Sequence, residues 1–204
     1  MFRTVSITCF IIVLVSVAIH CLASRPKLTA LCSKKARRKP SLIGVLRTLV
    51  YLLGLVCFAV LLVTGFAPRL VLAKPISGYW SIVHVTAAPV FVVCVAVLAV
   101  IWAHNCRLDK NYWPWLQRIL QRKTPNKAAP QKRELAQKIC FWLIILLVLP
   151  LALSVIVCMF PLFGTHWQKF FAGTHRYCAL LVALLVIIHT YLMILTQANK
   201  MAAK

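Results

Sequence analysis

Residues 175–196 read HRYCALLVALLVIIHTYLMILT. Beyond the leading His-Arg, no charged residue interrupts the run. About 20 consecutive apolar residues suffice for a helix to cross the hydrocarbon of a bilayer. The stretch Tyr177–Thr196 is therefore predicted to be a transmembrane helix. His175 and His189 are 14 residues apart on it, close to four turns. They point to nearly the same side, about 21 Å apart along the axis. Imidazoles inside a span are costly and usually have a functional reason.

Four more stretches qualify as spans: Thr4–Ala23, Leu42–Phe66, Ser81–Ala103 and Ile139–Phe160. None contains Asp or Glu, and Arg47, near one end of its segment, is their sole Lys or Arg. There it snorkels to the headgroups. The composition agrees: 62% hydrophobic, against roughly 45–50% in soluble domains. The expected fold is all-α, an integral membrane bundle of four core helices plus one extra N-terminal helix. Residues 1–41 form that helix and a basic linker, and residues 42–204 form the core domain. Pro89 and Pro150 kink their spans rather than end them. Each span is apolar all round, so pattern alone does not separate lipid-facing from bundle-facing sides.

The net charge of +22 comes from 24 Lys plus Arg against Asp109 and Glu134. These cations sit between the apolar blocks, not on one soluble face. The pattern excludes nucleic acid as partner and indicates anionic lipid and a topological signal. Ser24–Arg47 carries eight Lys/Arg and His104–Lys138 carries nine, whereas Ala67–Trp80 has only Arg69 and Lys74. Pro161–Arg176 has only Lys169 and Arg176. Basic loops face the cytoplasm. The N-terminus is therefore expected outside and the C-terminus in the cytoplasm of a bacterial inner membrane. The first segment resembles a signal peptide. Cleavage would strand basic Ser24–Lys39 on the outer face, so a retained helix is expected. The nine cysteines form no C-x-x-C or zinc-like cluster and read as small packing residues.

His84 and His175 both enter their helices near the outer face. Two neutral imidazoles at one depth on adjacent helices can hold one haem iron from both sides. A second haem would use His189, near the cytoplasmic side, with His20 the one other intramembrane histidine there. His104 is 20 residues past His84, rotated about 160–200° from it, and reads as interfacial beside Asn105. His166 reads as an outer-loop residue.

These residues resemble the cytochrome b (gamma) subunit of membrane-bound formate dehydrogenase, within a wider group of hydrogenase and thiosulfate reductase cytochromes b. The similarity runs from about Arg47 to Tyr191. Cys57–Gly65 is similar to the end of the family's first helix, and Gly78–His84 to its next helix entry. His104-Asn105, Asp109-Lys110 and Trp113-Pro114-Trp115-Leu116 are similar to its cytoplasmic loop. Gln137-Lys138 with Phe141-Trp142 resembles the start of its third helix, and His175–His189 its fourth-helix pair.

The resemblance implies a subunit, not a complete enzyme. It would take electrons from iron–sulfur and catalytic dehydrogenase subunits on the outer face. They would pass through haem b to menaquinone or ubiquinone near the cytoplasm. It implies His84 and His175 as ligands of an outer haem and His189 as one ligand of an inner haem. Where the family has the facing histidine this chain offers Tyr51. That leaves three alternatives for the inner haem: His20 as ligand, Tyr51 or a five-coordinate iron, or no inner haem. Tyr51, His104, Asn105, Glu134 and Gln137 are the candidate cofactor-binding residues at the quinone end. Glu134 stands where the family has Asn, and it reads equally as a helix-start carboxylate. No catalytic motif is present. Two rival readings are a stand-alone b561-type cytochrome and a haem-poor structural anchor.

Overall fold

The computed structural model describes residues 1–23, 42–107, 132–160 and 164–202. The basic linker and the Trp113–Leu116 string fall outside them. Five helices carry the described chain: α1 (Phe2–Ala23), α2 (Leu42–Leu70), α3 (Tyr79–Ala103), α4 (Lys132–Met159) and α5 (Thr165–Ala202). All five are long and apolar enough to span a membrane. In lipid a backbone must satisfy its own N–H and C=O groups, which a helix does within one segment. Apolar side chains such as Leu53, Val56, Val93, Leu146 and Leu153 point outward, as a lipid-facing surface requires.

The bundle is two hairpins. α2 packs along α3 and α4 along α5, and the two hairpins approach each other chiefly where α3 meets α4. Between them lies a layer of buried Cys57, Phe91, Val148 and Val182, one from each core helix. It sits midway between the two levels that carry histidine. α5 is the most enclosed helix and α1 the least.

α1 docks on the flank made by α5 and α2. Phe2 and Phe10 pack on Phe66, and Phe2 also meets Tyr177 edge-on at 5.4 Å. Arg3 Nε donates to the Leu70 carbonyl at 3.1 Å. Terminal carbonyls of a helix lack intrahelical partners, and a cation there also opposes the helix dipole. Arg3 thus caps α2 from another helix.

Two boundaries differ most from expectation. α5 begins at Thr165, not near Tyr177, so His166 lies in its first turns and not in a loop. The segment His166–Phe171 mixes aromatics with Gln168 and Lys169. It is too polar to read as a span but stays helical at the membrane surface, where Trp is favoured. Likewise α4 starts at Lys132, with Glu134 in its first turn.

Candidate functional site

At one end of the bundle His84 lies on α3 and His175 on α5, one on each hairpin. They are near enough for their charges to interact. Each ring is held through Nδ1. His175 Nδ1 lies 3.2 Å from the Leu151 carbonyl oxygen. A carbonyl only accepts, so Nδ1 carries the proton and Nε2 keeps its lone pair. His84 Nδ1 lies 2.9 Å from Thr64 Oγ1. The Thr64 hydroxyl already donates to the Val60 carbonyl at 2.7 Å. Its oxygen therefore accepts from His84 Nδ1–H, and His84 Nε2 also keeps its lone pair. Both imidazoles hold the tautomer that ligates a metal through Nε2.

Gly65 makes room for this arrangement. A Cβ there would stand 3.1 Å from His84 Cε1. Thr64 and Gly65 were visible in the sequence only as the end of a span. The signal that could have singled out Thr64 is a hydroxyl one position before a glycine in an otherwise apolar helix.

At the opposite end a small cavity of about 90 Å³ lies between the hairpins. All four core helices line it, and Tyr51 and His189 face it from opposite hairpins. His189 is 8% exposed. The Gln137 backbone hydrogen-bonds its ring, and among the described residues Nδ1 is left without a well-formed partner. Among the described residues the buried Tyr51 hydroxyl has no partner. Trp102 packs against Tyr51 at 5.7 Å and against Phe141 at 6.4 Å.

The remaining candidates gather at that same end. His104 and Asn105 lie exposed in the turn after α3. Lys138 Nζ donates to the Arg107 carbonyl at 3.1 Å, and Trp142 Nε1 to the Cys106 carbonyl at 3.0 Å. These bonds tie the turn to the first turns of α4, which carry Glu134 and Gln137. Burial pushes the Cys106 thiol up, and nearby Lys138 only partly offsets it. That thiol is a packing group, not a nucleophile.

His20 takes a different position. Its Nδ1 lies 2.5 Å from the Tyr191 hydroxyl, and it does not line the cavity. Tyr191 is two residues past His189, about 200° further round the helix. His20→Ala is accordingly expected to leave the haem content of the purified protein unchanged. A haemochrome assay that showed one haem fewer would contradict this geometry.

Among the described residues no three His, Cys, Asp or Glu side chains gather to hold a bare metal ion. An iron held by a porphyrin needs only two axial donors. The residues fit haem at one level, where two ligand-ready imidazoles stand on facing hairpins. Such a bundle defines a membrane-embedded b-type cytochrome. The chain belongs to the prokaryotic cytochrome b561 family, whose pattern matches residues 34–201. That match covers α2 to α5 and leaves α1 outside it. Comparison with curated proteins and with solved structures gave no match.

Proposed function

We propose that the chain is the membrane-anchor cytochrome b subunit of a respiratory oxidoreductase. It receives electrons from an iron–sulfur and dehydrogenase partner on the outer face of the inner membrane. It delivers them to menaquinone or ubiquinone, as the formate dehydrogenase gamma subunit does. The observation that carries this reading is the pair His84 and His175, each preset in the ligating tautomer on its own hairpin.

His84 lies five residues into α3, about 8 Å below its start. That depth suits electron entry from a docked partner. Haem bound there supplies reversible one-electron chemistry. Thr64 and the Leu151 carbonyl orient the rings and raise their basicity, which tunes the potential. His84 and His175 would both hold the haem, which would leave no protein-free position for oxygen chemistry at this level. The buried layer of Cys57, Phe91, Val148 and Val182 keeps water out between the two ends. At the far end the exposed His104–Asn105 turn and the Glu134–Gln137 turn supply donors and acceptors for a quinone headgroup. The eight Lys/Arg of Ser24–Arg47 support a cytoplasmic position for this end.

The test is purification from native membranes in mild detergent. Copurification with an iron–sulfur subunit, and haem reduction when that subunit's substrate is added, support the reading. The family assignment itself favours one second reading, a stand-alone b561-type cytochrome. In that case the chain purifies alone, and added quinol reduces its haem directly.

A further inference from the structure

We infer that α1 is a positioning clamp for the haem ligands: it bridges α2 and α5 beside His84 and His175, holds the two hairpins at the spacing the iron needs, and stays part of the working protein. This rests on the reading of those two imidazoles as axial ligands. It gives a task to the helix that lies outside the family match.

The face that α1 turns inward follows from its sequence. Phe2, Ser6, Phe10, Val13 and Val17 are shielded, while Val5, Ile12, Val15 and Ile19 are exposed. Steps of three or four residues put the shielded set on one side of a helix. Ser6, between the two phenylalanines, is wholly enclosed. A small residue at that point lets two helices approach closely in lipid.

This face meets both hairpins at the level of the imidazole pair. Phe2 and Phe10 pack on Phe66 of α2, with ring centroids 6.5 and 5.2 Å away. Phe66 directly follows Thr64 and Gly65, against which the His84 ring rests. Phe2 also meets Tyr177 of α5 edge-on at 5.4 Å, two residues past His175. A single side chain of α1 therefore touches the mounts of both ligands. Arg3 adds a polar fastening on the α2 side, through the Leu70 carbonyl.

The four core helices leave this seam weakly closed. Their hairpins approach chiefly where α3 meets α4, and α1 is the helix that contacts both α2 and α5. In lipid, helices gain little from hydrophobic burial against each other and depend on packing and hydrogen bonds. A haem iron with two imidazole ligands needs both nitrogens in reach at once. Play between the hairpins on the α2–α5 side would release one of them. The far end of α1 is fastened by His20 and the Tyr191 hydroxyl at 2.5 Å. Tyr191 is 16 residues past His175, about 24 Å along the axis, too far to steer the pair.

The experiment uses the full chain purified in detergent. Its intact mass should show α1 attached. Phe2→Ala combined with Phe10→Ala should speed haem transfer to apomyoglobin about tenfold, the scale usual for losing an outer support of a ligand. It should also shift the low-field electron paramagnetic resonance line of the oxidised haem, which reports the angle between the two imidazole planes. Phe10→Ala alone keeps Phe2 on both mounts and should move the same readouts less, in the same direction. Tyr191→Phe loosens α1 at its far end and should leave both at parent values. A helix that only added stability would lower the melting temperature from either end and leave the resonance line in place. An unchanged line and transfer rate in the double variant, equal effects from both ends, or a mature chain lacking α1 would overturn this inference and leave the His84–His175 site standing. A parent chain without haem would overturn that site, and the clamp with it.

Discussion

Replacing His84 or His175 with alanine is expected to eliminate the haem proposed between α3 and α5 and to abolish the proposed reduction of quinone. Each variant removes one of the two proposed axial nitrogens, and the cavity at the far end does not compensate. The variants also leave different second partners behind. His175→Ala frees the Leu151 carbonyl, which still receives the Ser154 hydroxyl at 2.8 Å. His84→Ala frees Thr64, whose own donation to Val60 is unaffected. Neither change orphans a buried group, so the bundle should keep its helical content by circular dichroism while the haemochrome assay records the loss. Thr64→Val is the graded companion. It removes the acceptor that fixes the His84 tautomer, and loss of such an outer partner typically costs about 10–100-fold in metal affinity. A full complement of haem in both alanine variants would rule out this pair as the ligands.

The spans were legible because hydropathy depends on local composition alone. Tyr177–Thr196 needed no knowledge of its neighbours. The start of α5 at Thr165 was not legible, since Trp167, Lys169 and Phe170 are amphipathic and a helix can leave the hydrocarbon without ending. The His175–His189 spacing was likewise readable from helical geometry. The tautomers were not. They depend on the register of α2 against α3, which brings Thr64 to His84 across 20 residues of sequence, and on the register of α4 against α5, which brings the Leu151 carbonyl to His175. His20 shows the same limit from the other side. Depth along a span placed it near His189, but the rotation of α1 against α5 sends it to Tyr191. Tyr51 was expected at the level of His189, and the cavity it shares with that residue is what side-chain packing adds.

Gly65→Val is expected to remove the same haem from most chains without touching a ligand. A Cβ at position 65 would lie 3.1 Å from His84 Cε1 and 3.6 Å from its Nδ1. An alanine therefore asks the ring to give by a few tenths of an ångström, and affinity should fall only a few-fold. Valine adds two methyl groups beyond that point, on the helix that also carries Thr64. The ring cannot retreat and keep its bond to Thr64, because acceptor and obstacle are adjacent residues on one backbone. Overpacking of this kind typically costs about 1–3 kcal/mol. Here it is relieved by swinging His84 out of line with His175, so the loss appears as haem content, not as unfolding. The measurement is haem per chain for Gly65→Ala and Gly65→Val beside circular dichroism. A valine variant with its haem intact and its spectrum unshifted would mean that the His84 ring does not lie against Gly65. The Thr64 bond, and the tautomer argued from it, would then have to be abandoned.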